Sequence, residues 1–444
     1  MTRRGGGFSP SLLAALLLIF CFASPAHSSQ PGESGTGSTR AAPALRARAA
    51  ALVPLFNRST KPERVLAPSF LAQIPASQID SLALRLASQF GRARAVDRLV
   101  ARSATAGTAF IAFERAVVRV ELAVEARPPH RITALLVSAA DVKGDSLAKV
   151  AQEIWSLPGE ASLAAARLGG SDAPQFSIAH KAGKSLAVGS AFKLFILAEL
   201  SRSIAAGERK WSDVVPLDHF SVGSGALESW PAGSPMTLHS LAVLMISQSD
   251  NGAADTLLHL LGREKVERLL PELGVAAPGR LRPLLTTREW AVLKAGDSGA
   301  LLRRWAAASE AERRALLAGP IAALERDQVD LSRLIAVPNA IDTVEWFAST
   351  GDLVRVMDWL RRHGDRETLG ILAVNPGIGR VRAEEFAYLG YKGGSETGVL
   401  NMTFLLRGKD GEWHAVSGTW NDAAQSVDEG RFQLLMSRVV ALVR

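Results

Sequence analysis

Arg3-Arg4 near the start of the chain precede an apolar run from Leu12 to Ala23, then the Pro-broken, small-residue stretch Ser24-Pro25-Ala26-His27-Ser28. That is the order of charged, apolar and cleavage regions in a secretory signal peptide. The run is too short to cross a bilayer, which takes about 20 apolar residues. Residues 1–28 are therefore predicted to be removed, leaving a secreted or periplasmic protein with no stable membrane anchor. Residues 29–42, rich in Ser, Gly, Thr and Pro, read as a flexible leader with nothing apolar to bury. Helical periodicity then predicts helices over Ala44–Phe56 and Ser77–Phe90, with prolines at 54, 62, 68 and 75 between and around them. The period changes at Val118, Val120, Leu122 and Val124, which alternate with Arg119, Glu121, Ala123 and Glu125 as in a half-buried strand. Pro128-Pro129 separates it from a second strand, Ile132–Val137. Together these segments predict a small α+β domain over residues 43–142.

A second domain, 143–444, is expected to start with a helix capped by Asp145 or Ser146 and running through Leu147, Val150 and Ile154. Phe176–His180 and Ser185–Val188 read as a hairpin around Ala182-Gly183. Helical patterning dominates from there to about His363, including a long stretch from Asp297 to Arg362. Strand character returns at Phe386–Tyr391, Val399–Arg407 and Trp413–Gly418, before a closing helix over Ser426–Val443. Strands at both ends with helices between predict an α+β architecture: an antiparallel sheet built from both ends of the domain and flanked by helices, with a helical block inserted.

The 444 residues allow two or three domains, and a composition of 48% hydrophobic and 21% charged residues is that of a globular protein. Cys21 is the sole cysteine and lies in the predicted signal peptide, so no internal disulfide, Cys-rich zinc site or iron–sulfur cluster is available. The histidines are scattered without metal-ligand spacing, and neither a metal nor a cofactor is predicted. Loss of Arg3 and Arg4 lowers the formal charge from +8 to +6. The remaining charge is diffuse and no basic block is interleaved with aromatics, which argues against a nucleic-acid partner.

Candidate chemistry lies in three short segments. Ser190-Ala191-Phe192-Lys193 follows an apolar strand and opens a helix that is apolar almost all round. Its i, i+3 spacing stacks serine and lysine on one face, where free backbone N–H groups favour a developing oxyanion. A lysine in such a wall is expected to have a depressed pKa and to take the serine proton. Ser146-Leu147-Ala148-Lys149 has the same spacing, but no buried strand leads to it, so it reads as coincidence. Ser249-Asp250-Asn251 lies between two helices, a hydroxyl, acid and amide suited to proton relay and to holding a substrate amide. Lys392-Gly393-Gly394-Ser395 ends a strand, where a lysine attracts a carboxylate and glycines let a substrate backbone approach.

In this order the segments match the S-x-x-K, S-D-N and K-T-G set known from class A β-lactamases and penicillin-binding proteins. Residues from about 145 to 444 thus resemble a class A β-lactamase or related serine hydrolase. The first domain, in its arrangement, resembles the steroid-isomerase-like domain that precedes the hydrolase domain in a β-lactamase-like protein of clavulanic acid biosynthesis. The resemblance implies Ser190 as acylated nucleophile, Lys193 as its base, Ser249 as proton shuttle, Asn251 as substrate-amide ligand and Lys392 as carboxylate anchor. It also implies an oxyanion hole from the backbone N–H groups of Ser190 and Ser395, and a small-molecule substrate, a β-lactam or related amide or ester.

Two departures stand out. The E-x-x-L-N glutamate that activates water for deacylation is not found between Asn251 and Thr286-Thr287, which resembles the threonine run closing the corresponding loop. The acids there are Asp255, Glu264, Glu267 and Glu272, and Glu289 just beyond suits a first-turn helix acid. Gly393 also replaces the family's threonine or serine. These departures leave three alternatives to a β-lactamase: an esterase, a slowly deacylating penicillin-binding-like enzyme, or a ligand-binding relative that does not hydrolyse.

Overall fold

The computed structural model describes residues 41–170, 173–217, 225–296, 299–324 and 328–443. The predicted signal peptide and nearly all of the leader lie outside the described residues. Among the described residues no helix is long and apolar enough to cross a membrane. The chain divides into two compact units, Met1–Asp145 and Ser146–Arg444.

In the first unit, helices α1 (Pro43–Phe56) and α2 (Ala76–Phe90) pack on a four-stranded antiparallel meander of β1 (Ala93–Ala101), β2 (Ala106–Phe113), β3 (Ala116–Val124) and β4 (Ile132–Val142). Strand alternation sends Val118, Val120 and Leu122 into the core, where Leu45, Leu52 and Phe56 of α1 are also buried. Phe56 and Phe90 both meet the Phe113 ring, at 6.1 and 6.3 Å between centroids. The sequence pattern showed only β3 and β4. It missed β1, which is mostly exposed and carries Arg94, Asp97 and Arg98, and β2, which is buried along nearly its whole length and so does not alternate.

The second unit opens with α3 (Leu147–Trp155), β5 (Glu160–Leu168), β6 (Gln175–His180) and the short β7 (Leu186–Ala187). The inner helices include α4 (Lys193–Ala205), α5 (Leu238–Ser247), α6 (Asn251–Leu261) and α7 (Thr287–Ala295). After shorter helical pieces come β8 (Phe347–Ala348), α8 (Thr350–His363), β9 (Tyr388–Glu396), β10 (Val399–Arg407), β11 (Trp413–Asn421) and α9 (Glu429–Leu442). The described part of the stretch from Asp297 to Arg362 is thus several short helices, the β8 strand and α8, with Pro320 inside one turn of π-helix, Leu317–Ile321.

The sheet runs β9-β10-β11-β5-β6, antiparallel throughout, so its centre joins β5 near the start of the unit to β11 near its end. The expected hairpin between Phe176–His180 and Ser185–Val188 does not form. β6 pairs with β5, and β7 pairs with β8 in a separate two-stranded ladder. The pattern also missed β5, whose alanines carry little strand propensity. Its strand state comes from pairing with β11.

Alternation sorts the sheet's two faces. Leu163, Ala165, Phe404, Leu406 and Val416 meet Val150 and Ile154 of α3 and Phe432, Leu435 and Val439 of α9. Ala164, Ala166, Leu405 and Ala415 face the inner helices. Helix α4 lies in the middle of that inner layer, which is why it is apolar on all sides: Leu194, Phe195, Ile196, Leu197 and Ala198 are all fully buried.

The inner face turns polar toward the Ser395 end of the sheet. Asn401 and Thr403 of β10 hydrogen-bond each other (2.9 Å) and Thr419 and Ser417 of β11, and Ser162 of β5 bonds Thr350 at the start of α8 (2.7 Å). Every member is buried. We expect Thr403→Val, nearly isosteric, to strand the Asn401 carbonyl and to lower unfolding free energy by about 1–3 kcal/mol, measurable by denaturant titration.

Candidate active site

Ser190 stands on one turn of 3₁₀ helix, Gly189–Phe192, that joins β7 to α4. The backbone of β9 passes directly over this turn. A Cβ on Gly189 (φ +49°) would lie 3.1 Å from Ser395 N, and one on Gly394 would collide with Val188 O and with the amide nitrogens of Ser190 and Ala191. Two glycines therefore let two backbones touch with no side chain between them. β9 is the outermost strand, so its outer row of backbone groups has no strand partner.

Strand alternation makes Lys392, Gly394 and Glu396 successive inward-facing positions of β9. Lys392 is buried, and its Nζ donates to Ser249 Oγ (2.9 Å) and to Gly393 O. On the other side Lys193, fully buried at the start of α4, donates to Ser249 O (2.6 Å), Asn251 Oδ1 (2.7 Å) and, at greater length, Ser249 Oγ (3.3 Å). The Ser249 hydroxyl thus sits between two lysines. Its backbone is in the left-handed region (φ +59°), which few non-glycine residues adopt and which is held here from both ends. Asp250 N donates to Leu244 O (3.1 Å), and the Asp250 carboxylate caps α6 through Ala253 N (2.8 Å) and accepts from Leu227 N (3.1 Å).

Burial pulls the Lys193 ammonium down to about 7, against the opposing pull of the Asp255 and Asp250 carboxylates. Burial, and then the charge of Lys193, push Lys392 well below the ordinary lysine range. Among the described residues the Ser190 hydroxyl makes no hydrogen bond, and it is only partly buried.

The structure brings Ser190, Lys193, Ser249, Asn251, Lys392 and Ser395 together. The second S-x-x-K match stays apart: Ser146 caps α3 and Lys149 is exposed. At Gly393 the Tyr391 hydroxyl occupies the space a side chain would take, so no threonine or serine fits there.

Each acid considered for deacylation has another partner. Thr286 begins α7 with a capping box in which Glu289 closes back on it, and Glu289 also pairs with Arg263 (2.6 Å). Glu264 and Glu267 pair with Arg314, and Glu272 accepts from the Trp359 indole (3.0 Å). Asp255, one turn beyond Asn251 on the same face of α6, accepts from Thr287 N (2.8 Å), Thr287 Oγ1 (2.9 Å) and Arg288 N (3.1 Å). Burial raises its carboxyl to about 6 against those bonds. Its charge acts on Lys193, and the i, i+4 spacing from Asn251, which carried no weight in the sequence reading, is the signal that could have placed it at this site. Of the tryptophans, Trp305, Trp346 and Trp359 are buried and Trp290 is partly buried, while Trp230 is exposed. Trp346 stacks on Phe192 (4.0 Å, 3° between planes) beside the Ser190 turn. Among the described residues no group of three or more His, Cys, Asp or Glu is placed to hold a metal.

Compared with known families, residues 147–356 match the model described as the β-lactamase enzyme family. Over those residues the second unit resembles the β-lactamase enzyme family. It has the mixed α+β fold of that family's serine hydrolases. Similar solved structures include a β-lactamase from Sphaerobacter thermophilus, 21% identical, covering 66% of this chain and 95% of that one, with a TM-score of 0.46. Another, from Chitinophaga pinensis, is 16% identical, with 66% and 96% covered and a TM-score of 0.45. PBP-A is 14% identical, with 66% and 93% covered and a TM-score of 0.44. No curated protein matches the chain.

If Lys193 is the base in this site, its neutral form is the active one, and that form gains population as pH rises through about 7. The second-order acylation rate is expected to rise along that limb, with an apparent midpoint near the same value, in a stopped-flow pH series. Lys193→Met is expected to remove the limb and slow acylation by about 10²–10⁴-fold.

Proposed function

We propose that the chain is an exported serine hydrolase that opens β-lactams, or a related amide or ester, through an acyl-Ser190 intermediate. The observation that carries this reading is the Ser249 hydroxyl held between two buried, pKa-depressed lysines beside the Ser190 turn. In this reading neutral Lys193 accepts the Ser190 Oγ proton as Oγ attacks the carbonyl carbon. The tetrahedral oxyanion receives the N–H groups of Ser190 and Ser395. When the C–N bond breaks, the leaving nitrogen takes its proton from Ser249 Oγ, which is replenished from the lysine on either side. Asn251 orients the substrate amide and Lys392 attracts its carboxylate. Water then hydrolyses the ester.

A second reading has one specific observation in its favour. Asp255, Glu264, Glu267, Glu272 and Glu289 all have structural partners, so none is free to activate the deacylating water in the usual way. This favours a slowly deacylating, penicillin-binding-like enzyme over a fast β-lactamase.

The test follows a chromogenic cephalosporin and penicillin by absorbance and by intact mass. Rapid turnover supports the β-lactamase, and a persistent adduct on Ser190 supports the slow enzyme. No adduct and no hydrolysis, with Ser190→Ala matching wild type on an activated ester as well, overturns both. Export is tested by fractionating cells: the mature mass is expected outside the cytoplasm, shortened by the first 28 residues or so.

A further inference from the structure

Behind the cleft lies a cluster with no place in the chemistry above. Lys294 of α7 is completely buried, and its Nζ donates to Glu345 Oε1 (2.7 Å) and to Glu396 Oε1 (2.6 Å). Glu345 is also fully buried and accepts from the Trp290 indole (2.6 Å), while Glu396 is nearly so. A buried ammonium shared by two carboxylates is a poor source of net stability, because desolvation offsets the attraction. Its value lies in where the two carboxylates are attached.

Glu345 immediately precedes Trp346. The Trp346 carbonyl accepts from Val188 N (2.9 Å), and its indole ring lies flat on Phe192. Trp346 therefore grips the nucleophile turn on both sides of Ser190. Glu396 immediately follows Ser395, the second proposed oxyanion donor, and is the third inward position of β9 after Lys392 and Gly394. Lys294 itself rides on α7, whose first turn is docked by Asp255 to α6, the helix that presents Asn251 to Lys193. The connections close into a ring around the site.

Resting on the acyl-Ser190 reading, we propose that Lys294 is a positioning residue: by tying Glu345 to Glu396 it fixes the spacing between the Ser190 turn and the β9 backbone that supplies Ser395 N–H. The spacing matters because oxyanion donors act only when both lie about 2.7–3.1 Å from one point. Burial, and then the Glu345 charge, raise the Glu396 carboxyl well above its ordinary range despite Lys294. A neutral glutamine is therefore a close substitute for it.

The test uses the full chain with Lys294→Met, Glu396→Gln and, as a stability-matched control in the outer layer, Leu435→Ala. Amide hydrogen exchange is read at 186–192 and 393–397, alongside the acylation rate constant and dissociation constant for the chromogenic cephalosporin. Lys294→Met is expected to speed exchange in both segments at least tenfold and to slow acylation at least tenfold. Its dissociation constant should stay within about threefold. Glu396→Gln should remain within about threefold of wild type throughout, and Leu435→Ala should leave both segments protected. Exchange in Lys294→Met that rises only in α7, or everywhere as in the control, overturns the proposal. If Lys294→Met does not fold, Glu396→Leu cuts one arm alone, and unchanged exchange at 393–397 in that variant overturns it. Failure of wild type to acylate overturns the functional reading, while the exchange arm still decides the positioning role.

Discussion

Two lysine amines around one serine hydroxyl, out of water, are the constraint on which the rest of the site depends. Two ammonium ions so close repel each other, and a buried N–H without an acceptor costs about as much as a lost hydrogen bond. The arrangement persists only if the charge is relieved and the remaining N–H groups find oxygen. The surroundings of Ser249 read as answers to that demand. Its left-handed backbone turns its own carbonyl toward Lys193, Asn251 offers a second oxygen at the first position of α6, and the Gly393 carbonyl takes the other amine. Asp250 serves the same geometry by capping α6 and holding the 225–227 backbone.

The second requirement is closeness without bulk. Lys392 reaches Ser249 because β9 lies against the Ser190 turn, and β9 lies there because Gly189 and Gly394 present no side chains. The geometry of the cleft is thus set by backbone contact more than by side-chain packing. Backbone contact is stiff, since main-chain atoms have no rotamers through which to relax. The polar inner face of β10 and β11 behind it is correspondingly rich in hydrogen bonds.

Much of this was legible in the residues themselves. Ser190, Lys193, Ser249, Asn251, Lys392 and Ser395 are legible because the chemistry needs particular side chains at particular short spacings, and such spacings survive in one dimension. The helices α1, α2 and α3 and the strands β9, β10 and β11 follow from periodicity. Strand pairing does not. Phe176–His180 and Ser185–Val188 have the local marks of a hairpin, but their partners lie elsewhere in the unit. β5 is spelled in alanines and becomes a strand only beside β11. Thr286-Thr287 carries the marks of a loop closure, yet Thr286 caps a helix and Thr287 donates to the Asp255 carboxylate of α6. Lys294, Glu345 and Glu396 gave no signal at all, because three charged residues so far apart in sequence have no periodicity to betray them.

The joining of β5 to β11 at the centre of the sheet sets an order on the protein's synthesis. Until Trp413–Asn421 has left the ribosome, β5 has no partner on that side, and β9 has no sheet to belong to. Lys193 and the apolar helix α4 are made long before that, on the order of tens of seconds earlier at ordinary translation rates. During this interval α4, buried along most of its length in the folded unit, is complete but unenclosed. For a chain that is exported, that delay would be an advantage. A unit that cannot close before its last strands arrive stays threadable through a membrane channel for as long as export requires.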